Sequence, residues 1–144
     1  MSILPITEAF TKYLADERHF SPYTARCYGA DLRQFVEFLS KHHKIELDAN
    51  REKEAFERDM TKRSGHDIAG SLPPRTVTEL IRSATSDLVR TFLSHLGEQQ
   101  YSSATMARKI ATLRSFFKWG DKRSFTTGNP MTTIRTPRQA KRLP

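Results

Sequence analysis

Two short cationic patterns hold the groups in this sequence best suited to binding chemistry. In SPYTARCYGADLRQFVEF, residues 21–38, Arg26 and Arg33 flank Ala30 at helical spacing. In SSATMARKIATLRSFFKW, residues 102–119, Arg108 is followed by Lys109, Thr112 and Ser115. The stretches begin 81 positions apart and place Ser, Thr, Leu-Arg and Phe at matching offsets. Neither is a nucleophile-and-base set. Guanidinium and ammonium groups reach guanine edges in a major groove about 12 Å wide, small residues permit close approach, and hydroxyls at a helix start bind phosphate. Ser21, Thr24, Ser102 and Thr105 stand at such starts. They also serve as ordinary N-caps, and the two uses are compatible because a helix start needs only one capping side chain.

Helices must position these groups. Tyr28, Leu32, Phe35 and Leu39 step by four, three and four, which predicts an amphipathic helix opening at Ser21-Pro22 and ending near Lys41. Met106, Ile110, Leu113 and Phe117 repeat the same steps in the later stretch. Arg26, Ala30 and Arg33 then lie opposite the first stripe, and Arg108, Thr112 and Ser115 away from the second. Phe10, Tyr13 and Leu14 predict a first helix over residues 7–18 with Thr7 as its N-cap. Leu88, Phe92 and Leu96 predict another from Thr85 or Ser86 to Gly97, with Gly97 in the left-handed position after the last turn. Four amphipathic helices in two consecutive pairs result, and no strand pattern competes with them.

Residues 45–78 differ in character. They are densely charged, with Ala55, Phe56 and Met60 the only apolar cluster before Gly65 and Pro73-Pro74. A solvent-exposed helical piece over residues 50–62 and a flexible loop are expected, with no chemistry.

The 144 residues suit one domain with a true core. Cys27 is the single cysteine, which excludes an internal disulfide and a cysteine-based zinc site and fits a reducing compartment. No stretch of eighteen apolar residues and no leader pattern occurs, so a cytoplasmic protein is expected. Residues 83–144 hold eleven Lys/Arg against three Asp/Glu, so the net charge of +8 is concentrated in the last third. That concentration points to nucleic acid or an acidic membrane face, or else to a solubilising surface.

Taken in order, FSPYTARCYGADLRQFVEFL, SDLVRTFLSHL, SSATMARKIATLRSFFKW and GNPMTTIRTPRQAKRLP resemble the N-terminal core-binding domain of tyrosine recombinases of the Xer and phage-integrase type. The resemblance implies an all-α fold, a small orthogonal SAM-like bundle of four to five helices over residues 1–134, with residues 45–78 as an insertion. It implies that the second and fourth amphipathic helices approach the major groove of a duplex recombination site. Thr24, Arg26 and Arg33 on one, and Thr105, Arg108, Lys109 and Thr112 on the other, are the implied contacts, with Cys27 and Ala30 at close-approach positions. Residues 135–144 match the family's interdomain linker, so Arg135, Arg138, Lys141 and Arg142 are expected to track phosphate. Arg114 is weighed as a core-edge residue instead.

Catalysis in that family uses a tyrosine with supporting arginines, a lysine and histidines, all in a larger C-terminal domain. Tyr13, Tyr23, Tyr28 and Tyr101 are read here as packing residues, and His42 and His43 as complements to a helix dipole. No active site, metal or cofactor is therefore expected within this chain. The expected partners are duplex DNA and other recombinase protomers assembled on it, with no membrane and no small-molecule substrate. A helical protein-interaction module and a stand-alone, non-cutting DNA-binding regulator are the competing readings.

Overall fold

A computed structural model describes residues 4–58 and 76–135. Among them the chain is all-helical, with α1 (Pro5–Asp16), α2 (Pro22–His42), α3 (Ala49–Glu57), α4 (Val77–Arg82), α5 (Ser86–Gly97), α6 (Ser103–Lys122) and a 3-10 helix (Pro130–Thr133). The all-α expectation holds, with six α-helices rather than four to five. The chain forms two compact units, residues 1–83 and 84–144.

In the first unit α1 packs on α2 and α3, and α4 packs on α2 and α3. Pro5 opens α1 as its first residue, which moves the start ahead of the expected one. Thr7 is therefore not the N-cap. Its hydroxyl reaches back to the cap residue, accepting from the Leu4 N–H at 3.2 Å and donating to the Leu4 carbonyl at 3.0 Å. The α2 helix begins at Pro22 after the Ser21 cap, as its sequence requires. It buries Leu32, Phe35, Val36 and Leu39 completely, against Ile6, Phe10 and Leu14 of α1 and Val77, Leu80 and Ile81 of α4 in one core. Each such side chain contributes about 1.5–3 kcal/mol.

The expected helical piece after residue 45 forms as α3 and is mostly exposed, but it is more than a wet face. Asp48 caps α3 by accepting from the Arg51 N–H at 3.0 Å, and the helix then buries Glu52, 1% exposed, and Ala55, 3% exposed. The Glu52 carboxylate accepts from the N–H groups of Val77 (3.0 Å) and Thr78 (2.8 Å), the open donors at the start of α4. In return Arg82, 7% exposed at the end of α4, donates through Nη1 to the carbonyls of Ala55 (2.8 Å), Phe56 (2.9 Å) and Arg58 (2.9 Å), which close α3. Two short helices thus satisfy each other's ends with buried charges. Residues 59–62 of the expected helical piece, and the expected loop up to residue 75, lie outside the described residues.

The second unit is built on α6, which buries Ile110, Leu113, Phe116, Phe117 and Trp119, with Val89, Phe92 and Leu96 supplied by α5. Asn129 Oδ1 accepts from the Met131 N–H at 2.9 Å, so Asn129-Pro130 starts the 3-10 helix by the same cap-then-proline chemistry as α2. That helix is fixed to α5 by the Ser86 hydroxyl on the Pro130 carbonyl, 2.9 Å. The Arg114 guanidinium on α6 donates to the Ile134 carbonyl at 2.7 Å just beyond it. Gly120 sits at a close approach, since a Cβ there would stand 3.0 Å from Thr126 Cγ2.

Gly97 does not adopt the left-handed conformation expected of it. The chain continues in a helical turn, with the Gln99 N–H on the Leu96 carbonyl, and Gln100 takes the positive φ of 59° instead. His19, Lys44 and Ser124 do the same after α1, α2 and α6.

Candidate nucleic-acid interface

The repeated sequence is a repeated local structure. Ser21 Oγ accepts from the Thr24 N–H at 3.1 Å and donates to Thr24 Oγ1 at 2.9 Å. Ser102 Oγ accepts from the Thr105 N–H at 3.1 Å and donates to Thr105 Oγ1 at 3.0 Å. In each pair the serine is the cap. The threonine oxygen, having accepted, keeps its own proton for donation at the positive end of a long helix.

Arg26, Ala30 and Arg33 are all exposed on α2, on the side away from its buried stripe, while Cys27 is half-buried. Arg26, Ala30 and Arg33 also line one surface groove beside α1, together with Glu8, Thr11 and Lys12. Those three α1 residues were not singled out by sequence. Glu8 and Lys12 are one helical turn apart on an exposed face, which was the available signal.

On α6, Arg108 is exposed, as its place away from the Met106, Ile110, Leu113 and Phe117 stripe predicts. Lys109 is half-buried with its Nζ 5.1 Å from the centre of the Tyr101 ring, a cation–π contact that draws the ammonium toward the start of the helix. Thr112 is a correction. It is 1% exposed, and its hydroxyl donates to the Arg108 carbonyl at 3.2 Å, so it cannot meet DNA. The reason is the width of the buried arc, which takes in Phe116, Trp119 and Gly120 as well as the expected stripe and so sweeps past Thr112. Ser115 is half-buried. Arg114 is held inside the fold, as weighed from sequence. Arg135 is exposed, and Arg138, Lys141 and Arg142 lie outside the described residues.

Two further side-chain readings change. Tyr13 and Tyr28 pack as expected, with ring centres 6.1 and 6.3 Å from that of Phe10. Tyr23 does not: it is 70% exposed, because the second position of α2 faces outward. His42 stacks on Phe38 at 5.1 Å and meets His43 edge-on at 5.1 Å. Burial first, and the neighbouring His42 charge second, lower the His43 pKa below its ordinary value. A helix C-terminus acts the other way, favouring the charged imidazolium.

With α2 and α6 defined, the described family model "Phage integrase, N-terminal SAM-like domain" is found to match residues 7–63 and 74–123. The chain belongs to that family. The match includes both serine-capped helices and most of the charged segment, leaving residues 64–73 as its internal gap. This phage integrase SAM-like domain is similar to the tyrosine recombinase XerC of Syntrophus aciditrophicus, 27% identical over 139 residues, covering 96% of this chain and 36% of the relative. It is similar to XerC of Roseiflexus castenholzii at 33% over 137 residues, 95% of this chain and 33% of the relative. XerC of Oceanobacillus iheyensis is 28% identical over 137 residues, 95% and 34%. The SAM-like domain therefore spans about a third of the length of these curated relatives. No solved structure gives a significant match. Among the described residues no helix is long and apolar enough to cross a membrane.

Proposed function

We propose that this chain is the core-binding part of a site-specific tyrosine recombinase, and that it holds duplex DNA at the recombination site with the outer faces of α2 and α6. The observation that carries the reading is the exposed Arg26–Ala30–Arg33 face: two long cations separated by a methyl, on the side away from the buried Leu32, Phe35 and Leu39. Such a face fits a major groove, where guanidinium groups pair with guanine O6 and N7. Arg108 plays the same part on α6. Lys109, drawn toward the helix start by Tyr101, meets phosphate with Thr105, and Thr24 does so separately at the start of α2. Arg135, Arg138, Lys141 and Arg142 add phosphate contacts along a linker, positioning the protein without reading sequence.

Strand cleavage belongs, in this reading, to a part of the recombinase outside these 144 residues, since the XerC relatives are about three times as long. Other protomers join on the DNA. A protein-interaction module would need an apolar outer face on α2 or α6, where Arg26, Arg33 and Arg108 stand instead.

The test is duplex affinity against salt. If about five or six phosphates are neutralised, the log–log slope is about −4 to −6. Arg108→Ala is expected to cost about 1–3 kcal/mol on a selected site and to flatten preference at one or two base positions, whereas Arg138→Ala weakens all duplexes alike. A slope near zero overturns the proposal.

A further inference from the structure

The DNA-facing residues of α2 form one wall of a groove of about 600 Å³, and α1 forms the other. Ala25, Gly29 and Ala30 keep the α2 wall low. A Cβ on Gly29 would stand 3.5 Å from Thr11 Cγ2, so the two helices are close to contact at that point. Above the low wall stand Arg26 and Arg33, and across from them Lys12 and Glu8, which gives three cations against one carboxylate. A groove with that balance favours a polyanion.

Geometry selects which part of a polyanion. A helix about 10–12 Å across fills a major groove about 12 Å wide. A second helix packed beside it, with axes about 8–10 Å apart, therefore has no room among the base edges and lies over the flanking strand. We propose that one phosphodiester strand of the duplex runs along the α1–α2 groove. Lys12 is then a phosphate-contacting residue, and Glu8, one turn before it on the same helix, is a like-charge neighbour of the strand that holds affinity down. The inference rests on the DNA-binding reading of α2. It adds α1 to the interface and assigns it positioning rather than readout.

The experiment measures binding of the full chain by fluorescence anisotropy to two duplexes of about 30 base pairs, one of mixed sequence and one recovered from a random pool. Salt is varied from about 50 to 200 mM, a range over which phosphate contacts are well resolved. Lys12→Gln is expected to weaken both duplexes by the same factor and to make the slope shallower by about one. Lys12→Arg restores both, and Glu8→Gln tightens both equally without altering the preference between them. Lys12 and Glu8 are exposed, so none of these changes moves the melting temperature appreciably. Arg33→Ala is measured in parallel. If it weakens binding while Lys12→Gln leaves the slope unchanged, the strand does not occupy this groove and the proposal fails with the α2 reading intact. If neither change affects binding, both fail. A Lys12→Gln variant that alters preference between the duplexes, or that disturbs self-association by sedimentation and not DNA affinity, also overturns the assignment.

Discussion

Arg82→Met tests whether the charged segment is part of the fold. Methionine keeps much of the aliphatic volume and removes every donor. Nη1 lies 2.8–2.9 Å from three carbonyls and carries two protons, so at least two charge-assisted bonds are lost. At about 1.5–3 kcal/mol each, and with the Ala55 acceptor left buried, the expected cost is about 3–5 kcal/mol. That is a large part of the ~5–15 kcal/mol that holds an ordinary domain folded. Urea unfolding followed by far-UV circular dichroism reads it directly: with a slope of about 2 kcal/mol/M, the midpoint falls by about 2 M. Lys53→Met on the exposed side of α3 is the control and should stay within about 0.5 kcal/mol. A midpoint shift for Arg82→Met no larger than that of Lys53→Met would show that the α3–α4 contacts contribute nothing net, and that treating the segment as solvated surface was sound.

Three further outcomes follow from individual side chains. Thr78 is fully buried and its Oγ1 has no hydrogen-bond partner among the described residues, so Thr78→Val, which replaces the hydroxyl by a methyl, should stabilise by about 1 kcal/mol in the same assay; destabilisation would mean that the hydroxyl is satisfied. Thr112→Val should leave duplex affinity unchanged, and a tenfold loss would return that residue to the interface. Because the folded-state pKa of His43 is lowered, protonation is harder in the folded chain than in the unfolded one. Above about pH 6.5 both states are neutral there and the residue has no effect, while stability is lost as pH falls through about 6.5 toward the folded pKa. His43→Gln should therefore melt progressively higher than the parent below that pH and alike at pH 8; a constant gap would refute the linkage.

What could be read in advance depended on the range over which each element's cause acts. The start of α2 and the start of α6 rest on a serine and the next three residues, and both were placed from sequence. Their buried stripes rest on a period within one helix and were also legible. The α3–α4 pair rests on Glu52 meeting N–H groups 25 and 26 positions away, a relation that composition cannot express, so the same residues read as surface. Val77–Arg82 is too short to show a period at all. Thr112 was misplaced because a wheel gives the centre of a buried arc and not its width, which depends on what covers the flanks. Tyr23 shows the reverse error, an aromatic ring assumed to need a neighbour.

The paired helix caps have a consequence for the engineering of this protein. Arg82 holds the Arg58 carbonyl, the Arg58 guanidinium lies 3.5 Å from Glu79, and Glu52 holds Val77. The chain thus leaves α3 and re-enters α4 at the same place, both gateposts tied by residues outside the interval they bracket. Both ties run between α3 and α4 themselves, so they do not depend on the length of chain that joins the two helices. An insertion between residues 58 and 76 therefore alters neither Glu52 nor Arg82, and a fluorescent protein, an epitope or a pair of new termini there is expected to leave both ties in place. An insertion inside α3 or α4 would instead displace Glu52 or Arg82 and take the unit apart.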